Sequence, residues 1–166
     1  MIKYHYTECG LDNVYIYCPD PIQDDANGKV FQIKSIGLLH TIISIGIILH
    51  QYAMSYKELK FLRSEFGFTA SEWARILRTD VARVLSWERG DEKIPEATEV
   101  LIRKLVTDRL YDRASEYLEY DLDIRHLVEK VGFDVSDMSK RVDRSVLRQN
   151  IEIRCDGRHS YTLEAA

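Results

Sequence analysis

Residues 55–90 carry the strongest structural signal in the chain and read SYKELKFLRSEFGFTASEWARILRTDVARVLSWERG. Ser55 and Thr69 each precede apolar residues at helical spacing and are followed three residues later by a glutamate, which is the capping-box pattern of a helix start. Asp80 can cap a third helix, and Gly90 stands where that helix would end. The segment therefore predicts three short helices joined by tight turns.

The third predicted helix, at about residues 80–89, has two different faces. Helical spacing turns Val84 and Trp87 inward. The outward positions are Val81, Ala82, Arg83 and Ser86. Short helices, a small residue such as Ala74 at their closest contact and a polar outward face are what a protein needs to place a helix in the major groove of DNA.

Three segments of this region resemble the Xre-like, phage-repressor type of helix-turn-helix protein: residues 62–69 (LRSEFGFT), 72–77 (EWARIL) and 86–90 (SWERG). The spacing from Gly67 to the end of the third segment agrees with that family without a gap. The resemblance covers about 50 of the 166 residues. It implies a five-helix, repressor-like helix-turn-helix domain over residues 55–120.

The resemblance also implies which side chains would meet DNA. Base edges would be contacted by Ala82, Arg83 and Ser86, and phosphates by Arg75, Arg78 and Arg89. Arg83 is the first candidate for base recognition, because a guanidinium can donate two hydrogen bonds to guanine O6 and N7. Such a pair contributes about 1–3 kcal/mol of discrimination against other bases. The alternative for each of these side chains is an ordinary solvated position on the protein surface.

Four positions depart from the family pattern. Ala70 stands where a glutamine commonly contacts a phosphate, and Thr79 stands where an apolar residue normally packs. Arg78 replaces a glycine that usually adopts a left-handed conformation. Asp80 adds a negative charge close to the expected phosphate path. With these departures we still expect the helix-turn-helix fold, but we expect weaker contacts with DNA.

Residues 4–15, YHYTECGLDNVY, resemble the leader of bacterial antitoxin-like regulators related to zinc-ribbon/helix-turn-helix antitoxins. The zinc-binding C-x-x-C pairs are missing, and the spacings of His5, Cys9 and Cys18 match no strong ligand pattern. An odd number of cysteines without a C-x-x-C pair also argues against a disulfide framework. We therefore expect no metal, no cofactor and reduced, partly buried thiols.

The rest of the pattern predicts a β component near both ends of the chain. The predicted strands are residues 4–7, 14–18, 30–34, 151–155 and 159–163, with a polar loop at 19–28. The predicted helices are residues 36–51, 96–120, 124–131 and 136–148. The fold class is therefore mainly α with a small β component (α+β). We expect a β-rich N-terminal module (1–54), the helix-turn-helix domain (55–120) and a C-terminal extension (121–166) that offers a dimer or partner surface.

Charge, hydropathy and the absence of known motifs limit the classes of function that the sequence predicts. The net charge is −4, and only residues 56–104 are net positive, with ten Lys and Arg against nine Asp and Glu. The apolar run at residues 36–49 is shorter than the roughly 18–20 residues of a membrane span, so no membrane association is expected. The sequence has no recognisable export signal, which favours the cytoplasm. It also has no Gly-rich phosphate loop, no H-E-x-x-H and no nucleophile elbow, so we expect no enzyme.

These patterns predict a sequence-specific transcriptional repressor that binds double-stranded operator DNA as a homodimer. An antitoxin that regulates its own operon would carry the same features. The alternative is a protein-interaction module, or an antitoxin that neutralises a partner toxin, with weak or lost DNA binding. Asp80 and the acidic C-terminal part of the chain favour this alternative.

Overall fold

The computed structural model describes residues 1–19, 22–25, 28–30, 33, 35–50, 52–116, 149–156 and 161–164. Their helices are α1 (Ile36–Leu49), α2 (Tyr56–Glu65), α3 (Ala70–Ile76), α4 (Val81–Arg89) and α5 (Glu96–Glu116). Their strands are β1 (Ile2–His5), β2 (Val14–Cys18), β3 (Ile22–Asp25), β4 (Gly28–Val30), β5 (Ile151–Cys155) and β6 (Tyr161–Leu163). The mainly helical α+β class is confirmed. Four of these five helices lie within residues 55–120, and the fifth, α1, precedes them. The helices predicted at 124–131 and 136–148 lie outside the described residues.

The main sheet joins the two ends of the chain. Its strand order is β1-β2-β5-β6, in which β2 and β5 run parallel and the other neighbours run antiparallel. Asn13, just before β2, accepts a hydrogen bond from the Ile151 N–H at 2.8 Å and donates to the Gln149 carbonyl at 3.0 Å. These contacts align the start of β5 with the start of β2. The C-terminal hairpin, which the sequence assigned to a separate extension, is therefore part of the N-terminal sheet.

The N-terminal strands differ from the prediction in two places. The first strand is Ile2–His5 rather than residues 4–7, because β1 pairs with residues 15–18 of β2 and Ile2 lies opposite Cys18. The segment predicted as a polar loop instead contains β3, which forms a two-stranded antiparallel sheet with β4. The strand was not predicted because Asp24 and Asp25 interrupt the alternation of apolar and polar residues that is typical of strands. The strand predicted at 30–34 starts two residues too late, since β4 begins at Gly28 and ends at Val30, and residues 31, 32 and 34 lie outside the described part of the chain.

Helix α1 forms the centre of the core. Ten of its fourteen residues are buried, and it packs against β5, β6, α2 and α5. The sheet lies so close that a Cβ atom on Gly46 would stand 2.9 Å from Cγ2 of Ile151. The hydroxyls of Thr41 and Ser44 donate to carbonyls one turn earlier, at 2.8 Å each, which satisfies them inside the core. Among the described residues, no helix combines the length and apolar character that crossing a membrane requires.

A fully buried arginine, Arg103, joins α5 to the end of α1. Its guanidinium forms a 2.9 Å ion pair with Glu99, one turn earlier on α5. It also donates hydrogen bonds of 2.9–3.1 Å to the backbone carbonyls of Ile47, Ile48, His50 and Tyr52. Helix ends leave carbonyls without partners inside the helix, and here the arginine supplies partners to the C-terminal end of α1. Arg103 therefore connects the N-terminal module to the helical region by polar contacts in the core.

Candidate nucleic-acid interface

The starts of α2, α3 and α4 follow the predicted caps. The capping box of Ser55 with Glu58 is present. In the second box, Thr69 Oγ1 accepts from the Glu72 N–H at 3.1 Å, while the Glu72 carboxylate accepts from the Thr69 N–H at 2.7 Å. Asp80 accepts from the Arg83 N–H at 2.8 Å and begins α4. All three predicted helix starts are confirmed.

The turn between α3 and α4 contains the left-handed residue that the sequence indicated. Arg78 has a φ of 56° and is the one non-glycine residue with positive φ in the described part of the chain. This conformation costs an L-residue about 1–2 kcal/mol. The Thr79 N–H donates to the Ala74 carbonyl at 2.9 Å and closes the turn. An arginine therefore occupies a backbone position that glycine would adopt more easily.

The inner face of the three helices is fixed by aromatic packing and one ion pair. Trp73, Val84 and Trp87 are buried, as the helical spacing predicts for the last two. Arg63 of α2 forms a two-pronged ion pair with Glu88 of α4, with one contact at 2.9 Å between Nη2 and Oε2. The hydrogen bond to Glu88 raises the pKa of Arg63. This ion pair holds the back of α4 against α2, and no local spacing in the sequence indicated it.

The outward face of α4 differs from the prediction at one position. Ala82 and Arg83 are exposed, as expected. Ser86 was expected to face outward, but it is buried with 9% exposure, so its side chain offers little surface to a base. After Gly90 the Asp91 N–H donates to the Ser86 carbonyl at 3.0 Å and closes the end of the helix. Leu85, with 38% exposure, takes the outward position that the sequence analysis had given to Ser86.

The arginines around α4 are exposed, but two of them already have acidic partners. Arg83 Nε lies 3.6 Å from Glu92 Oε2, and Arg89 Nε lies 2.7 Å from Asp91 Oδ2. Both acids come from the segment directly after α4. Exposed ion pairs of this kind contribute about 0–1 kcal/mol, so a phosphate can replace them at small cost. The two remaining predicted contacts, Arg75 and Arg78, are exposed and form no ion pair with any described residue.

A second polar cluster lies where α1 meets α2 and α5. His40 contacts the Tyr6 hydroxyl through Nε2 at 2.9 Å and the Glu65 carboxylate through Nδ1 at 2.8 Å. Arg113 donates to the same carboxylate at 2.8 Å. Burial alone would raise the pKa of Glu65, but the hydrogen bonds from His40 and Arg113 outweigh it and lower that pKa. A cavity of about 540 Å³ opens beside this cluster, between α2 and the turn after β1.

The described residues offer no group of three metal-ligating side chains close enough to hold an ion. His5 instead stacks on Tyr15, with ring centroids 4.6 Å apart. Cys9 lies at the turn after β1, where its thiol is 3.8 Å from the Tyr6 carbonyl, and Cys18 lies at the end of β2. Comparisons of the chain with protein-family models, with curated proteins and with solved structures found no match.

Proposed function

We propose that the chain is a cytoplasmic, sequence-specific DNA-binding regulator that acts as a homodimer and inserts α4 into the major groove of operator DNA. One observation carries the proposal. Helix α4 is held from behind by its buried aromatic residues and by the Arg63–Glu88 pair, while its opposite face is exposed and begins with Ala82 and Arg83. A rigid short helix with an exposed N-terminal half is the arrangement by which helix-turn-helix proteins read base edges.

The side chains on this surface have separate roles in the proposal. Arg83 reads a guanine, while Ala82 and Leu85 contact the methyl groups of thymines. Phosphates are contacted by Arg75, Arg78 and Arg89, which adds affinity but carries little sequence information. Two copies of the chain would read two half-sites about one helical turn of DNA apart, which supplies the specificity that a single short helix lacks.

The acids after α4 compete with DNA in this scheme. Glu92 and Asp91 must release Arg83 and Arg89 before these arginines can contact bases and phosphates. Their negative charges also repel the phosphate backbone. We therefore expect the substitution Glu92→Gln to raise DNA affinity, most strongly at low salt, because it removes one repulsive charge and one competing partner of Arg83.

A titration of DNA binding tests the proposal. The DNA upstream of this protein's own gene is compared with random DNA at two salt concentrations by gel shift, with wild type, Arg83→Ala and Arg154→Ala. Arg154 is the matched control, because it is an exposed, ion-paired arginine on the sheet. Salt-sensitive binding to the upstream DNA that Arg83→Ala weakens about tenfold or more, and Arg154→Ala leaves unchanged, supports the proposal. Absence of binding at micromolar protein contradicts it.

A second candidate function is the neutralisation of a partner protein, such as a toxin encoded by a neighbouring gene. The observation that favours it is the apolar character of the exposed α4 face, where Val81 and Leu85 are 37% and 38% exposed. Apolar side chains surrounded by charged residues are common where two proteins meet. In this reading the pairs of Arg83 and Arg89 with the following acids are ordinary surface contacts.

Co-expression with the product of the neighbouring gene separates the two functions. A toxin-neutralising chain forms a complex that survives purification without DNA, and Leu85→Glu disrupts this complex while Arg83→Ala has little effect. A chain that is only a DNA-binding regulator forms no such complex, and Arg83→Ala weakens its gel shift. An autoregulating antitoxin would lose both activities with Leu85→Glu.

A further inference from the structure

Two cysteines from distant parts of the chain end neighbouring strands of the sheet. Strands β2 and β5 are parallel and in unbroken register up to Tyr17, which lies opposite Arg154. The next residue on each strand is a cysteine, Cys18 on β2 and Cys155 on β5. Alternation along the strands puts both side chains on the sheet face that carries the buried residues of β2 and β5. The two thiols are therefore side by side.

The spacing of these strands suits a disulfide. Adjacent strands lie about 4.8 Å apart, and the Cα atoms of disulfide-bonded cysteines are usually about 4.4–6.8 Å apart. Both cysteines are free thiols. Burial and the neighbouring Cys155 thiol raise the pKa of Cys18 to about 12, so Cys18 is protonated at neutral pH. Cys155 is partly exposed and is the thiol that a reagent in solution meets first.

We propose that Cys18 and Cys155 form a reversible disulfide by exchange with a small-molecule disulfide of the glutathione type. The Cys155 thiolate attacks one sulfur of the small disulfide, forms a mixed disulfide with it and releases the first small thiolate. The Cys18 sulfur then attacks the Cys155 sulfur, the bond to the small molecule breaks, and the second small thiolate leaves. Two electrons pass from the cysteine pair to the small disulfide, and the two protein thiol protons end on the two released thiols.

This exchange would close the sheet covalently across nearly the whole chain, since every described helix lies between Cys18 and Cys155. The first step occurs at a partly exposed sulfur, whereas the second needs the buried, protonated Cys18 and is therefore slow. The third cysteine, Cys9, lies at the turn after β1, where burial raises its pKa to about 11 and disfavours its reactive thiolate, so it is an internal control. The proposed disulfide lies within the sheet, and its formation does not depend on DNA binding.

Thiol counting on the full chain tests the proposal. The protein is incubated for hours with oxidised glutathione, denatured, titrated for free thiols and mapped by peptide mass spectrometry. We expect the three thiols to fall to one, with a linked peptide pair containing Cys18 and Cys155 and with Cys9 unmodified. A dithiol reductant should restore all three. Retention of three thiols, a link through Cys9, or a final product that is only a mixed disulfide at Cys155 would overturn the proposal.

Two variants confirm the assignment of the pair. Cys9→Ser should form the same linked peptides at the same rate as wild type. Cys18→Ser should stop at the mixed disulfide of Cys155 with glutathione, because the second thiol is missing. If oxidised Cys18→Ser instead carries no glutathione and contains an internal disulfide, as wild type is expected to, the proposed second step is wrong.

Discussion

Helices α2 to α4 and the four-stranded sheet are held together by contacts of different range. In the helices, each start and turn is fixed by groups a few residues apart, such as Thr69 with Glu72 and Asp80 with the Arg83 N–H. In the sheet, β2 finds its parallel partner β5 near the other end of the chain. The helical region is therefore specified locally, whereas the sheet depends on the rest of the molecule being in place. Helix α1 packs on the sheet, on α2 and on α5, so the contacts that hold α1 in place should be the most sensitive positions in the protein.

The largest effect is expected at Arg103, the buried arginine that joins α5 to α1. Arg103→Met removes the donor to the carbonyls at the end of α1 and removes the cation beside the buried Glu99 carboxylate. We expect a loss of about 3–5 kcal/mol in the free energy of unfolding, measured by urea denaturation. Lys104→Met, at the next and exposed position, should change it by less than about 0.5 kcal/mol. A similar, small effect of both substitutions would mean that the two regions are stable separately.

The next largest effect is expected when an ion pair is broken within the helical region, compared with one broken within the sheet. Arg63→Met breaks the half-buried pair with Glu88 between α2 and α4 and leaves a carboxylate that is 5% exposed without its partner. We expect it to lower the free energy of unfolding by about 2–3 kcal/mol. Arg154→Met breaks the exposed pair with Glu164 on the sheet and should cost less than about 1 kcal/mol. Urea denaturation of the two variants under the same conditions measures this difference, and equal losses would contradict it.

A pH titration examines the cluster between α1, α2 and α5. The pKa of Glu65 is lowered in the folded state, so its charged form stabilises the fold above its usual pKa of 4.5, and this contribution is lost as the pH falls through the lower folded value. Glu65→Gln should therefore lower stability at pH 7 by about 1–2 kcal/mol and flatten the loss of stability below pH 4.5. Thermal unfolding between pH 3 and pH 7 measures both effects, with Glu92→Gln, at an exposed carboxylate, as the control. Parallel curves for wild type and Glu65→Gln would exclude this role.

The smallest effect is expected in the turn before α4. Arg78→Gly relieves the left-handed strain at φ 56° and should raise the free energy of unfolding by up to about 1 kcal/mol. In the proposed function the same substitution removes a phosphate contact, so DNA affinity should fall while stability rises. Thermal unfolding and the gel shift measure the two changes on one protein. A loss of stability would mean that the arginine side chain makes a contact more favourable than the strain it causes.

The local character of the helical region explains why most of it could be predicted from the sequence. The caps at Ser55, Thr69 and Asp80 and the glycine at residue 90 are read from neighbouring residues, and all of them are confirmed. The burial of Ser86 was not predicted, because the periodicity within the helix gave it an outward position.

The acidic partners of Arg83 and Arg89 were missed although they follow α4 directly, because exposed ion pairs leave no periodic pattern. The sheet could be predicted only as separate strands. The five residues of β2 and the five of β5 were identified correctly, but nothing within either segment indicates that they pair with each other or in which register. The burial of Arg103 could not be predicted from the sequence either, since a single arginine on a helix normally indicates a solvated face.

The parallel pairing of β2 with β5 has a consequence for the order in which the protein is made. β2 leaves the ribosome before all five described helices, whereas its parallel partner β5 follows them. Until then β1 and β2 form at most an isolated hairpin, which is marginally stable in water and presents an open edge. The helices have mostly local contacts and fold quickly, whereas closing the sheet requires a contact of very long range and is slow. The nascent chain therefore passes through a state in which the helices have formed and the β5-facing edge of β2 is open, and in this state it is most exposed to aggregation and to capture by chaperones.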